Sequence, residues 1–453
     1  MLAVSFMMIH RNFIPDDAYI TYRYARNLSL GRGFVYNPGE HVLGTTTPLY
    51  TLLLAAIAYL THIEISNISL LIGAISLWVS AGLLFNLGVE QDWKFATTSA
   101  VIYLTNPFLS RFVGMESLFL LAMFLLTNYA YLRRKLLLTA LLGGLITLVR
   151  YEMLFFVLLI GLTEWITQRK APLWLWPSIV PILLWGIYSF FYFGSPVPLS
   201  ASAKLIAPRI PFLVGGAVLW YSFMTESPLI FIAVVFSLIG VFGWVVTRKI
   251  NPRYTLLLSF SVLYIGLAAF LAGSFPWYYA PLTFIYAISI TYGIDSVGLF
   301  MKLIMEKKAI TRYIVQYGCL ALIVVAQLSF WWNAYRTFQD QQFDTRYAAY
   351  KDIADWLNEH AAPTDRIATF EIGYIGYFTD MKIVDLAGLV TPSLYLWVDD
   401  GAEQSLYHSL RLSSPEWVLI PAHNQQQRDI MTNDKRYVLQ QVFDDRFLLY
   451  ERQ

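Results

Sequence analysis

Twelve apolar segments follow one another at about 48–63, 67–89, 95–109, 115–132, 136–149, 152–167, 173–193, 212–224, 229–247, 254–273, 277–300 and 313–334. A helix of about 20 apolar residues crosses a hydrocarbon core about 30 Å thick, so a series this dense constrains the chain to a polytopic membrane bundle. Composition agrees: 57% of the 453 residues are hydrophobic and 14% charged, against about 25% charged in soluble domains. A shorter apolar stretch, Met1 to Phe13, precedes the series and lacks the small-residue cleavage site of a secretory signal. It reads as the outer end of a first transmembrane helix whose inner end is missing or lies upstream. With it, about 11–13 membrane segments are expected.

Basic clusters punctuate the series at Arg133-Arg134-Lys135, Arg169-Lys170, Arg248-Lys249 and Lys302 to Arg312. Positive-inside bias puts them in the cytoplasm and the opposite helix ends outside. The outer ends are then Ser110–Ser117, Val149–Met153, Gly194–Pro211 and Gly273–Tyr279, together with everything after Trp332. Two outer loops need an even number of crossings between them, yet three apolar segments separate Asp16 from Glu116. The short, proline-led segment 48–63 is therefore expected to lie along the surface or re-enter it.

The charge balance splits the chain in two. Residues 1–334 carry a net charge of +9 and residues 335–453 a net charge of −7. After Trp332 the hydropathy pattern also changes. Tyr347 to Glu359 has the spacing of an amphipathic helix, stopped at Ala362-Pro363. Arg366–Phe370, Lys382–Val384, Trp417–Ile420, Tyr437–Val442 and Phe447–Tyr450 have the composition of short strands. The expected fold is thus mostly α: a transmembrane helix bundle over 1–334, with a first outer loop at 14–48, and a small extracytoplasmic α/β domain over 335–453. The single cysteine, Cys319, lies in an apolar run and excludes an intramolecular disulfide. No Gly-x-Gly-x-x-Gly or P-loop spacing supports nucleotide binding, and the histidines show no metal spacing.

Pro15 to Pro48 is the longest polar interval in the first half of the chain. Pro15 suits a helix start, the adjacent Asp16 and Asp17 its first turn, and Gly31-Arg32-Gly33 its end. In a helix Asp16, Ile20, Arg23 and Asn27 share one face, and Tyr19, Tyr22 and Arg26 another. An acid and an arginine on one face can hold a base beside an anion, although paired acids also simply cap surface helices.

The wider pattern is more specific. Asp16-Asp17-Ala-Tyr-Ile, then Arg23-Tyr-Ala with Asn27-Leu, then Gly31-Arg-Gly33, Asn37-Pro-Gly-Glu40 and Gly44-Thr-Thr-Thr-Pro48 form one connected signature. Gly114-Met-Glu116, Arg150-Tyr-Glu152, Gly194-Ser-Pro-Val-Pro198 with Lys204, and Ile383-Val-Asp385-Leu-Ala-Gly388 accompany it. The set resembles the polytopic GT-C glycosyltransferases close to the terminal arabinofuranosyltransferases of mycobacterial cell walls. After residue 210 the membrane core matches in hydropathy alone, and Arg150-Tyr-Glu152 departs from the Arg-Pro-Glu common in that family.

The resemblance implies a membrane glycosyltransferase of the plasma (inner) membrane. It would move a sugar from a polyprenyl-phosphate donor to a cell-envelope glycan, lipid or protein acceptor on the outer face, with inversion and a first-loop aspartate as general base. A carboxylate is needed to take the acceptor's proton, and Asp16 or Asp17 is placed for that, with Asp16 preferred. The leaving group is already an anion and calls for cations, for which Arg23, Arg26, Arg150 and Lys204 are candidates. No cofactor is required. The second aspartate is left to orient the sugar or to hold a divalent cation, and no metal-ligand cluster is visible elsewhere.

Glu116 and Glu152 sit at outer helix ends, where ionisable groups are expensive and so functional candidates. A salt bridge from Glu152 to Arg150 and helix capping by Glu116 are the structural alternatives. Trp277 and Tyr278 suit stacking on a sugar or prenyl chain, or membership of an interfacial aromatic belt. In the tail, Glu371, Asp380 and Asp385 bracket an aromatic-glycine segment, Gly373 to Phe378, which is expected to bind the acceptor or to pack onto the membrane domain's outer face. Two other functions compete, a secondary transporter and a non-enzymatic envelope assembly factor. The absence of an apparent inverted repeat and the gathering of polar residues on one face disfavour the transporter.

Overall fold

The computed structural model describes residues 2–9, 11, 14–89, 92–206, 211–247, 252–271, 275–304, 309–341, 345–397 and 401–453. Arg248-Lys249 and residues 305–308 of the Lys302–Arg312 stretch lie outside them. The chain divides into two compact units, one of residues 1–13, 70–181 and 210–343, the other of 14–69, 182–209 and 344–453.

The first unit is helical. Its helices include Ser117–Leu132, Leu136–Val149, Leu154–Gln168, Ile230–Thr247 and Thr283–Ile304. Across the described residues of the whole chain, four apolar helical stretches are long enough to cross a membrane: Ile65–Val89, Leu173–Phe193, Pro276–Met301 and Tyr313–Asn333. Pro48–Thr61, Ser117–Leu132, Leu136–Val149, Ile230–Gly243 and Thr255–Ala269 are apolar but shorter. The two segments at 136–149 and 152–167 do not fuse because Arg150-Tyr-Glu152 breaks the helix into an extended residue and one 3₁₀ turn. The segment 48–63 is one 14-residue helix, Pro48–Thr61, about 21 Å long at 1.5 Å per residue and short of a full crossing.

Small residues let these helices approach closely. A Cβ on Gly240 would strike the Ser289 carbonyl, and one on Gly293 the Phe236 carbonyl. Ser237 and Ser289 hydroxyls meet at 2.6 Å across the same seam. Small-residue contacts of this kind replace the hydrophobic effect where lipid is as apolar as the helix surface.

The second unit is built on a five-stranded sheet, β1 Arg366–Thr369, β2 Lys382–Asp385, β3 Trp417–Pro421, β4 Tyr437–Phe443 and β5 Phe447–Arg452, in the order β2-β1-β3-β5-β4. β1 runs parallel to β2, with Thr369 opposite Asp385, and parallel to β3, with Ala368 opposite Val418. β5 pairs antiparallel with β3 and β4. The parallel strands read as short apolar runs because they are buried, and Ala368, Val384, Val418 and Ile420 form the core with Leu386, Leu406, Leu410 and Met431. All five strands and the helix Thr345–His360 fall where the sequence places them. The aromatic-glycine segment after β1 is itself a helix, Ile372–Phe378.

The first-loop helix, Asp16–Ser29, belongs to this unit. Both acids occupy its first turn, and Gly31, at φ 74°, follows its last residues in a left-handed conformation that favours glycine. Most of the helix is buried despite its polar composition, since its polar side chains bond to the tail, as from Arg23, or to neighbouring parts of the same unit, as from Tyr22 and Asn27.

Candidate functional site

Asp16 is positioned by the helix that follows β1. Its Oδ2 accepts the Gly373 amide at 2.8 Å and its Oδ1 the Tyr374 amide at 2.7 Å. Gly373 must be glycine here, because a Cβ would collide with the Asp16 backbone carbonyl. The Tyr374 hydroxyl donates to the Ile14 carbonyl at 2.7 Å, which closes a second strap on the same turn. Burial pushes the Asp16 carboxyl well above its ordinary value, the charges of Glu371 and Asp17 push the same way, and the two amides pull against them.

Asp385, at the end of β2, is the second buried acid. It accepts three amides, from Ala387 at 2.8 Å, Leu389 at 2.5 Å and Val390 at 3.0 Å. Burial nevertheless raises its carboxyl to about 7, the amides oppose this, and the charge of Asp17 adds to it. Half-buried Asp17 thus acts electrostatically on both Asp16 and Asp385. Among the described residues no group of three or more His, Cys, Asp or Glu side chains is placed to hold a metal ion.

The two first-loop arginines serve the tail. Arg23 is 3% exposed and donates to the carbonyls of Tyr36 at 2.8 Å, Met381 at 2.7 Å and Gly376, and to Asn37 Oδ1 at 3.3 Å. Those acceptors use Nε, Nη1 and Nη2, so the guanidinium is tied to peptide carbonyls on both the loop and the tail. Arg26 donates to the Tyr377 carbonyl at 2.7 Å and lies 3.6 Å from Asp380, half exposed. Asn37 mimics a strand neighbour, accepting the Ile383 amide at 3.0 Å and donating to its carbonyl at 2.9 Å. The segment 373–378 therefore packs on the first loop. Lys204 falls in the helix Leu199–Ile206, and its side chain lies outside the described residues.

Glu116, Arg150, Glu152, Trp277 and Tyr278 belong to the other unit and come together there. Arg150 donates from Nη1 to Glu116 at 2.6 Å and from Nε to Glu152 at 2.6 Å, while its guanidinium lies 4.7 Å from the centre of the Tyr278 ring. Arg150 is 5% and Glu116 4% exposed, so their pair is buried, while Glu152 closes the triad from a partly exposed position. Glu116 makes no side-chain cap to the helix it precedes and instead pairs with Arg150. Glu152 likewise makes the salt bridge that the sequence offered as its structural alternative. Trp277 is buried and stacks on Phe275 at 4.9 Å. Nearby residues of this unit, among them Phe108, Trp220, Tyr279 and Tyr286, line an apolar cavity of about 300 Å³.

Sequence reasoning leaves out Glu371, Gly373, Tyr374 and Asp385 as site residues. Asp385 and Glu371 stand out on the page as acids beside the aromatic-glycine segment, but nothing local says that they face the first loop.

Residues 333–451 match a family described as a domain of unknown function (DUF8728), which covers the α/β tail. No curated protein matches the sequence. Among solved structures, the chain is similar to ArnT from Cupriavidus metallidurans bound to undecaprenyl phosphate, with a TM-score of 0.62 and 12% identity over 99% of this chain and 96% of that one. The same protein in its apo state gives 0.59 and 12%, over 96% and 93%. The chain therefore has an ArnT-like GT-C fold along its whole length, a helical membrane protein with a small C-terminal sheet.

Proposed function

We propose that this chain is a membrane glycosyltransferase that takes a sugar from a polyprenyl-phosphate donor, with a first-loop aspartate as general base. The observation that carries the reading is the paired acid Asp16-Asp17, held on a buried helix within a full-length fold shared with a protein that binds undecaprenyl phosphate. In one displacement the acceptor hydroxyl oxygen bonds to the anomeric carbon as its proton passes to the carboxylate. The bond from that carbon to the phosphate oxygen breaks, and the lipid phosphate leaves with the electron pair, inverting the centre. Arg26 and Lys204 stay the candidate cations for the leaving phosphate, since Arg23 is tied to peptide carbonyls and Arg150 to Glu116 and Glu152.

Within this proposal the base is Asp17, which reverses the preference drawn from sequence. Both Asp16 oxygens accept amides from the tail, which suits holding the loop and leaves the proton-taking role to its neighbour Asp17. The outer-face location, the multi-pass plasma-membrane setting, the extracytoplasmic tail and the envelope acceptor belong to the same reading, as does arabinofuranose as one donor sugar. No organic cofactor is needed; a chelator separates the two roles left open for the second acid, since turnover that survives it excludes a required divalent cation.

The test is to incubate the purified chain with a panel of polyprenyl-phosphate sugars, arabinofuranosyl and hexosyl, and to measure sugar release or transfer. Turnover with one donor, lost in Asp17→Asn, is the expected result. A chain that inserts correctly and turns over none of them overturns the reading.

A further inference from the structure

Two connections at one end of the first unit gather basic residues. Arg133, Arg134 and Lys135 link the helix Ser117–Leu132 to the helix Leu136–Val149, and Arg169 and Lys170 lie between the helix Leu154–Gln168 and the turn Leu173–Ser178. Side chains hold the two connections together. Arg134 donates from Nη1 to both Glu164 oxygens, at 2.8 and 2.7 Å, and the Tyr131 hydroxyl donates to Oε2 at 3.0 Å. The Tyr131 ring stacks on Trp174, with centroids 6.3 Å apart. The turn Leu173–Ser178 is seated on the helix Leu136–Val149, where a Cβ on Gly144 would strike the Ser178 carbonyl.

This arrangement leaves three cations over. Glu164 is buried and already shared by Arg134 and Tyr131. Among the described residues Lys135, Arg169 and Lys170 form no ion pair, and all three are exposed. Arg134 at φ 56° and Arg169 at φ 53° also hold left-handed positions at helix ends, where glycine is the usual choice. Beside the cations Trp165, Leu173 and Trp176 are exposed. Unneutralised cations next to exposed indoles match an amphiphile, whose phosphate meets the cations while its acyl chains meet the apolar side chains. A water-soluble acidic partner would leave those three apolar side chains unused.

We propose that the two connections form a binding site for an anionic phospholipid of the surrounding bilayer, with Lys135, Arg169 and Lys170 holding its headgroup phosphate. Positive-inside bias assigns these helix ends to the cytoplasmic leaflet, whose surface is made negative by such lipids. The site is built wholly within the first unit and stands whether or not the chain transfers sugar.

The experiment titrates the full chain in detergent with phosphatidylglycerol and, separately, with phosphatidylcholine, and counts bound lipid by native mass spectrometry. Saturable binding of phosphatidylglycerol in preference to phosphatidylcholine is expected. Lys170→Gln should weaken it about fivefold, and Lys135→Gln/Arg169→Gln/Lys170→Gln on the order of 100-fold. None of the three side chains makes an ion pair, so the lipid-free melting temperature should hold. Arg411→Gln/Lys435→Gln, which removes exposed cations from the second unit, should leave the affinity unchanged. Glycerol 3-phosphate, a headgroup without chains, should not displace the lipid at matched concentration. Equal binding of the two lipids, affinity kept by the triple variant, or an equal loss in the second-unit variant overturns the proposal. So does displacement by glycerol 3-phosphate, which would mark a site for small anions.

Discussion

The carboxylate of Asp16 accepts the backbone amide of Tyr374 at 2.7 Å, joining residues 358 positions apart. Through that bond and its companion from Gly373, the acid at the start of the first loop is held by the turn that follows the first strand of the tail. Several measurable consequences come from this arrangement and from the buried arginines.

Asp16→Asn and Asp17→Asn should separate structure from chemistry. An amide can accept one of the two bonds and meets the other with its own N–H, so Asp16→Asn should destabilise the second unit by about 1–3 kcal/mol. Limited proteolysis of the tail and a thermal melt report it. Asp17→Asn should cut turnover roughly 10²–10⁴-fold in chains that still fold. Turnover kept by folded Asp17→Asn and lost in folded Asp16→Asn would refute the division of labour.

Stability of the tail should fall as pH rises from about 4 to about 7. The folded pKa of Asp385, about 7, exceeds its reference value of 3.8, so the folded state binds the extra proton in that window and the unfolded state does not. Asp16 is raised as well and acts with the same sign. The scale for Asp385 is on the order of 4 kcal/mol. Glu416 has the opposite sign: Arg366 holds it down to about 2, so its contribution is present above about 4.5 and is lost as pH falls towards 2. Urea melts across this range should show a maximum on the acidic side, and Asp385→Asn should flatten the alkaline limb. A limb unchanged by that substitution would remove Asp385 as its cause.

Gly376→Ala should be severe although alanine is the better helix former. Its Cβ would meet the Tyr36 hydroxyl and the Arg23 guanidinium, both pinned by hydrogen bonds of their own. Overpacking of this kind costs typically about 1–3 kcal/mol. Gly82→Ala, where a Cβ meets nothing within 4 Å, should be neutral or stabilising. Melts of the two single variants in detergent check the contrast.

Arg150→Lys should not rescue Arg150→Ala. Two carboxylates take Nη1 and Nε from different sides of one planar fork, and an ammonium cannot hold both at 2.6 Å. Removing the cation strands two acids, at about 3–5 kcal/mol for a broken buried pair. The double variant Glu116→Gln/Glu152→Gln should recover part of what Arg150→Met loses. A melting temperature for Arg150→Lys equal to wild type would contradict the fork geometry.

Much of the second unit was legible because its signals are local. Pro15, the two acids and the glycines at 31 and 33 mark both ends of the first-loop helix, and short apolar runs mark all five strands. What the sequence hid is long-range. Arg23 reads as a cation for a substrate, yet its partners are peptide carbonyls as far away as Met381, and no spacing rule announces a backbone acceptor. Asp16 is the base preferred on sequence, and only the amides of Gly373 and Tyr374 show it to be engaged. Spans were harder: apolar runs are visible by composition, but Arg150-Tyr-Glu152 shows that an ion triad can end one helix and begin the next within a turn.

The second unit is sewn from three pieces of chain, and its first piece is made long before its last. At a synthesis rate of about 5–20 residues per second, the first loop waits roughly 20–70 s for the segment around Tyr374 to exist. Throughout that interval the Arg23 guanidinium has no Gly376 or Met381 carbonyl to bond, and Asp16 has no amides. The loop carrying the proposed base is therefore among the earliest parts of the unit to be made and must wait for residues 373–381 before its buried groups are paired.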